Sequence, residues 1–465
     1  MASVNAPTTE QSRTGEFRHL LKFAAPLIVN NLALAGMGLT DTIMAGRGLG
    51  PAALAAVAVG SSVWFLFFFI PMGILTAISP LSARHIGKGR PEMVGRYARQ
   101  GFYLSLLLSA VIMAVLFFGA RPALYAIGID PEFRDVTADY IRAILWGAPA
   151  MFAYLVLRYT TEAAGHTLPI MIVSVAGLVV NVIGNYAFMF GHLGMPALGA
   201  EGAGVASACT MWATVAIMLA YVLRKPLYTQ FRIFELGRGP SWPEMRAILA
   251  LGVPIMVSIV AEAGLFSAVS LLMGRLSAVA AAAHQIAMNY ATFMFMIPLA
   301  LNSATTVLVS QAVGRGELDL ARRRGIRGIV TCALFMAASA TVLLLFRDQI
   351  VGLYTKDTAV QMVALSLLFM AAIFQISDGL QVGASGALRG LHDTRVPMYM
   401  TTVAYWIIGF PLAWLAATRE NVSPAMIWAG LVVGLTLAAF ALVGRFFWTT
   451  ASSQRIQALI GDDAA

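Results

Sequence analysis

The sequence predicts an all-α polytopic membrane protein, twelve transmembrane helices in two related six-helix bundles, and three observations carry that prediction. Of 465 residues, 59% are apolar and only 11% charged, with a mean hydropathy of +0.79; a soluble domain carries about 25% charged residues. Twelve apolar runs each approach or exceed the roughly 20 residues a spanning helix needs. The chain also matches itself when shifted by about half its length.

The runs cover residues 22–46, 54–83, 100–120, 140–161, 168–190, 203–223, 247–274, 278–310, 328–346, 359–385, 397–418 and 425–448. Outer-membrane barrel strands alternate apolar and polar residues over short segments. Stretches such as 63–70 and 365–373 do not alternate, so helices are expected throughout. The first eighteen residues are polar and lead into a long span rather than a short apolar core with a cleavage site, so no cleavable signal is expected. Cys209 and Cys332 fall inside runs without a CxxC partner and read as buried, inert thiols.

A net charge of +9 is explained by topology. With alternate loops on opposite sides, the side of the N-terminus holds 23 of the 31 Lys and Arg, chiefly in the loops 84–99, 224–246 and 315–327. The positive-inside rule then makes both termini cytoplasmic. The basic balance therefore gives no reason to expect a nucleic-acid partner. The surrounding bilayer is the expected environment, and the cytoplasmic (inner) membrane the expected location.

The internal repeat is specific at Gly, Pro and Arg. Gly87-Lys88-Gly89 aligns with Gly314-Arg315-Gly316, Arg96 with Arg323, Gly101 with Gly328, Pro26 with Pro254, Gly36 with Gly264, and Gly165-His166-Thr167 with His392-Asp393-Thr394. An even number of spans per half gives both halves the same orientation, hence parallel repeats about an axis along the membrane normal. The expected division is an N-terminal lobe 1–223, a cytoplasmic linker 224–246 containing Gly237, Gly239, Pro240 and Pro243, and a C-terminal lobe 247–465 with a short tail. Such lobes enclose a central cleft.

Three carboxylates, Asp41, Glu262 and Asp378, stand inside these uncharged runs. A charge at the bilayer centre costs about 3 kcal/mol on insertion scales, so intramembrane acids face a cavity and mark ion or proton pathways. Glu262 lies 16 residues after Arg246 and 13 before Arg275, which places it near mid-membrane at about 1.5 Å per residue. Asp378, 11 residues before Arg389, is also deep, whereas Asp41 is only 6 residues before Arg47 and lies in the outer third of the first span. Burial, a second acid and a bound cation each change how readily a carboxyl ionises, so such groups can exchange H⁺ or Na⁺ for a cationic substrate. No Lys or Arg is expected inside the cleft to pair with them.

Around Asp41 the first half offers Asn181 and Asn185, one turn apart on the fifth span, and Ser207 on the sixth. These side chains either ligate a hard cation, hold the carboxyl, or simply join helices. Pro26 and Pro254 precede an acid on equivalent spans; proline bends a helix, and the bend is either a response to protonation or a fixed packing kink. Phe266 and Phe374 each lie four residues from an acid, and Met288, Phe293, Met294 and Met296 cluster on the eighth span. Thioethers and rings suit a cleft for apolar cations, and equally suit packing against lipid and neighbouring helices. GxGxxG, Walker, HExxH and GxSxG motifs are all missing from the sequence, and the six His show no ligand spacing, so neither an enzyme nor a bound cofactor is expected.

The stretches "NNLALAGMGLTDTIMAGRGLG" around Asp41, "PIMVSIVAEAGLFSAVSLLMGR" around Glu262, "AAAHQIAMNYATFMFMIPLALNSATTVLVSQAVGRGE", and "DGLQVGASGALRGLHDTRVPM" containing Asp378 resemble the multidrug and toxic compound extrusion family, and the trio of acids resembles its NorM branch. The likeness covers about residues 15–450. It implies twelve helices in two bundles forming a V, and export of organic cations, drugs and dyes in exchange for Na⁺ or H⁺ by alternating access in a monomer. By resemblance Glu262 and Asp378 match the second-lobe cation site, Asp41 the first-lobe acid, and Asn181 and Asn185 the first-lobe asparagines. One departure is His392-Asp393-Thr394, where many relatives have Gly-Asp-Thr. The alternative function is a lipid-precursor flippase of related topology, which would need Arg or Lys in the cleft to hold an anionic headgroup.

Overall fold

A computed structural model describes residues 13–235, 239–419 and 422–461; the first twelve residues of the polar start and Gly237 of the linker lie outside these. Helices α1 (Arg13–Gly48), α2 (Pro51–Thr76), α3 (Ile78–Gly87), α4 (Glu92–Ile127), α5 (Pro131–Leu145), α6 (Ala148–Ala163), α7 (Leu168–Phe190) and α8 (Ala200–Arg224) form the first half. A 3₁₀ turn at Pro226–Phe231 leads to α9 (Trp242–Leu276), α10 (Ala278–Gly314), α11 (Leu318–Tyr354), α12 (Thr358–Gly390), α13 (Arg395–Thr402), a π-helical segment Val403–Gly409, α14 (Phe410–Ala417), α15 (Pro424–Thr450) and α16 (Ser453–Gly461).

Among the described residues, eleven helices or continuous helix pairs are long and apolar enough to cross a membrane, and a bent pair, α5 with α6, makes a twelfth. The 47° bend in that pair has a local cause. Pro149 cannot donate the backbone bond that would continue α5, and Gly147 lets α8 approach so closely that a Cβ there would meet Met211 Sδ at 2.5 Å. The sequence reading of one run over 140–161 thus starts late, because α5 opens with the charged residues Glu132, Arg134 and Asp135.

The two halves meet at the end that carries the basic loops. A Cβ on Gly314 would meet Arg84 O at 2.1 Å, and one on Gly87 would meet Gln311 O at 2.3 Å. These two glycines are equivalent in the internal repeat and face each other across the seam. Gly73 against Met256 Cα at 2.4 Å and Gly252 against Ile74 O at 2.3 Å bring α2 and α9 equally close. The apolar core of the first half continues across this contact to Ile248, Leu251, Ile255, Leu301, Val307 and Leu308. Polar cross-links reinforce it: Asn31 Nδ2 donates to Met296 O at 3.1 Å, Gln311 Nε2 to Ala163 O at 3.1 Å, and Glu16 pairs with Arg327.

His392, the departure noted in the sequence, sits in the left-handed region at φ 64°, which a glycine enters without a steric cost. It takes a bond from Arg84 Nη1 at 3.4 Å, another link between the halves. Next to it, Asp393 is buried and accepts from Arg445 Nε at 2.7 Å, tying the turn to α15. Burial holds the Asp393 carboxyl above the usual carboxylate range, and Arg445 pulls it back down.

Two expectations are corrected. Cys332 is buried, but Cys209 is exposed, on the face of α8 turned away from its neighbours. The interior is also not free of bases. Arg158 is buried within α6, in a run read as uncharged, and Arg84, Arg99 and Arg324 are buried near helix ends. Protein rather than lipid receives these groups, Arg84 reaching His392 across the seam, Arg99 donating to Arg232 O and Arg324 Nη1 to Leu308 O, so a hydropathy argument does not exclude them.

Candidate functional site

Four helices, α1, α5, α7 and α8, build the pocket of the first acid. Asp41 on α1 is 6% exposed, and Asn181 Nδ2 and Asn185 Nδ2 on α7 donate to its Oδ1 at 3.1 and 2.6 Å. Ser207 Oγ on α8 donates to Oδ2 at 3.0 Å. The one-turn spacing of the asparagines places both amides on one face of α7, and Asn185 also donates to Asn181 Oδ1 at 3.4 Å. Tyr140 of α5 lies within electrostatic reach of Asp41, its ring pressed into the space left by Gly60. Burial opposes a charge on Asp41 while three donors favour it. Asn185 Oδ1 has no partner in the protein and points an acceptor into this pocket.

The second-half acids converge from α9 and α12. Three side-chain bonds, each four residues apart, fasten α12 to α10: Asn302 to Val382 O at 2.6 Å, Thr306 to Gly386 O at 2.9 Å and Ser310 to Gly390 O at 3.0 Å. On α12, Gln375, Asp378 and Gln381 are buried at three-residue spacing and so share one face. Glu262, half-buried on α9, lies beside Gln381 and interacts electrostatically with Asp378. Asp378 is 2% exposed, and its Oδ1, both polar atoms of Gln375 and Gln381 Oε1 have no partner in the protein. Such a concentration of unsatisfied buried oxygens is expensive unless a ligand, proton or water completes it. Arg389 lies within electrostatic reach of Glu262, a base that the sequence reading placed outside the site at the helix end.

Phe266 and Phe374 stack edge to face at 5.7 Å, and Phe374 meets Trp428 at 6.2 Å. Trp428 Nε1 donates to His284 Nδ1 at 3.1 Å, and His284 Nε2 meets Ser270 Oγ at 2.8 Å. Both ring nitrogens of His284 are thus engaged, on an aromatic wall beside the acids. Met288 packs partly buried against the same core. Phe293 stands apart, 56% exposed. Pro26 and Pro254 lie inside unbroken helices, together with Pro71, Pro122 and Pro298 in other helices. The pair that precedes the acids is therefore part of a wider use of proline.

A fourth acid is not evident from the sequence. Glu162 on α6 is 1% exposed, accepts from Ser79 Oγ of α3 at 3.3 Å, and faces Ser303 of α10 and Arg158. It therefore bridges both halves at the seam. Its place one residue past an apolar run, beside Gly165, reads as a loop edge; the Arg158–Glu162 spacing of four is the signal that could have found it.

The MatE family model matches the chain twice, over residues 26–187 and 254–415. The chain belongs to the MatE family. A probable multidrug resistance protein NorM of Xanthomonas axonopodis pv. citri (strain 306) is 38% identical over 98% of each chain. The multidrug resistance protein PmpM of Pseudomonas aeruginosa is 39% identical over 95% of this chain and 94% of its own. Among solved structures, the eukaryotic MATE transporter AtDTX14 superposes with a TM-score of 0.87 at 20% identity, over 96% of this chain and 99% of that one. A multidrug resistance MATE family transporter in an outward-facing conformation gives 0.84 at 20% identity, over 97% and 100%. The fold of this MatE protein is therefore the fold of those transporters.

Proposed function

We propose that this MatE protein is a secondary antiporter that expels organic cations, drugs and dyes among them, in exchange for Na⁺ or H⁺. It does so by alternating access between its halves, as a monomer in the cytoplasmic membrane with both termini inside. The observation that carries this reading is Asp378: a buried carboxyl with an unpartnered oxygen, facing a second acid across the α9–α12 contact. Arg389 offsets at most one of the two acids, so a proton or cation must accompany the other, and its replacement by a cationic substrate couples the two flows. Three neutral donors hold Asp41, so this acid forms a second, separate site in the first lobe. The names of the curated relatives favour drug efflux over lipid flipping.

The test is drug resistance in cells lacking their own efflux. Asp378→Asn is expected to abolish resistance to ethidium while membrane expression persists. Resistance at the level of the unmodified protein would remove Asp378 from the site.

A further inference from the structure

The span that packs on α9 and α15 leaves the α-helix over Val403–Gly409 and takes a π-helical path. A π turn adds one residue to the helical circuit and is rare, and where it occurs it is frequently tied to a functional site. Here the segment is fastened on both sides of Glu262. Trp406 Nε1 donates to Ala261 O at 3.0 Å, and a Cβ on Gly264 would meet the Trp406 ring at 2.9 Å. Behind it, a Cβ on Gly434 would meet Ala404 O at 3.1 Å, so α15 backs the segment directly.

Tyr405, the residue before Trp406, is fully buried. Its hydroxyl makes no hydrogen bond of good geometry, and Gln381 is a neighbour of both this hydroxyl and Glu262. It lies within electrostatic reach of both Glu262 and Asp378. The other titratable groups facing this pair are Arg389 of α12, toward Glu262, and Cys332 of α11, toward Asp378. A buried hydroxyl without a well-formed bond is costly, and a phenol O–H is a donor to an ionised carboxylate and an acceptor from a neutral one. The groups within its reach are the ones whose charge the transport cycle changes.

We propose that Tyr405 is a positioning residue of the acid pair, whose hydroxyl donates to whichever of Glu262 and Asp378 has given up its proton or cation. The extra residue of the π turn supplies the slack for that movement, and Trp406 transmits it to α9 through Ala261. The proposal rests on reading Glu262 and Asp378 as the coupling site.

The experiment is ethidium efflux from proteoliposomes holding the full chain, measured against pH for the unmodified protein, Tyr405→Phe, and the chain with 3,5-difluorotyrosine placed at 405. Tyr405→Phe keeps the ring and its packing and removes the donor. The midpoint of the pH profile is expected to move up by about one unit, the size of one hydrogen bond to a charged group. The fluorinated residue is a stronger donor of the same shape, and the midpoint is expected to move down. A hydroxyl that serves packing alone would lower the yield or the maximal rate and leave both midpoints in place, and that result overturns the proposal. Asp378→Asn is measured alongside: if it transports normally, the reading of the acid pair has failed, a result separable from an unmoved midpoint in the Tyr405 variants.

Discussion

Asn185 donates to Asp41 at 2.6 Å while its own side-chain oxygen has no partner. The amide therefore holds the carboxyl and offers an acceptor to a second group at the same point. Removing it leaves Asp41 with two donors in place of three, and a bond to a charged group is worth about 1.5–3 kcal/mol. Asn185→Ala is expected to slow efflux about tenfold or more and to lower thermal stability in detergent. Asn181→Ala, which removes the longer bond at 3.1 Å, is expected to do less. Efflux rates and melting temperatures of the two variants check the order.

Glu162 is bound from both halves, so its removal acts on the seam rather than on either acid site. Glu162→Ala removes a buried carboxylate that Ser79 and Ser303 hold and that interacts electrostatically with Arg158, and is expected to cost about 1.5–3 kcal/mol. Glu162→Gln retains hydrogen bonding to Ser79 and Ser303 and is expected to cost less than half of that. Thermal unfolding of the two variants in one detergent gives the comparison.

Gly314 has no room for a side chain, with Arg84 O at 2.1 Å from the Cβ position. Gly314→Ala is expected to part the halves at the basic end without disturbing either acid. A cysteine placed at Ser303, behind this contact, is then expected to react about tenfold faster with a water-soluble maleimide, a shift of about 1.4 kcal/mol in the closed state. Equal labelling rates would show that the seam accommodates the methyl group.

Asp393 provides a pH test outside the spans. Burial raises its carboxyl and Arg445 lowers it, so Arg445→Gln removes the lowering influence and raises the folded value further. A raised folded value means stability that is present at low pH and lost as pH rises through that value. The loss in melting temperature for Arg445→Gln is therefore expected to be larger at about pH 7.5 than at about pH 4.

The spans and the three acids are legible in the sequence because a charge in an apolar run carries a large energetic signal. Asn181 and Asn185 are legible for a related reason, since their one-turn spacing puts two costly amides on one face. Gln375, Gln381 and Tyr405 are not, because an uncharged polar residue in a span is as often glue as site, and only the convergence of α9, α12 and the π segment distinguishes these. Glu162 and Arg158 escape notice because hydropathy measures a helix against lipid, and here another half of the protein takes the place of lipid. Phe293 shares the Met-rich eighth span with Met288, yet helical rotation leaves it exposed and apart from the Phe266–Phe374 wall.

The central claim is that a coupling ion and an organic cation exchange at buried carboxyls. The most direct measurement is ethidium efflux from proteoliposomes, driven in turn by a Na⁺ gradient and by a pH gradient, for the unmodified chain and for Asp378→Asn. At least one gradient is expected to drive efflux by the unmodified chain, and neither is expected to do so in the variant. Efflux that proceeds equally with no gradient, or that survives the substitution, would contradict it.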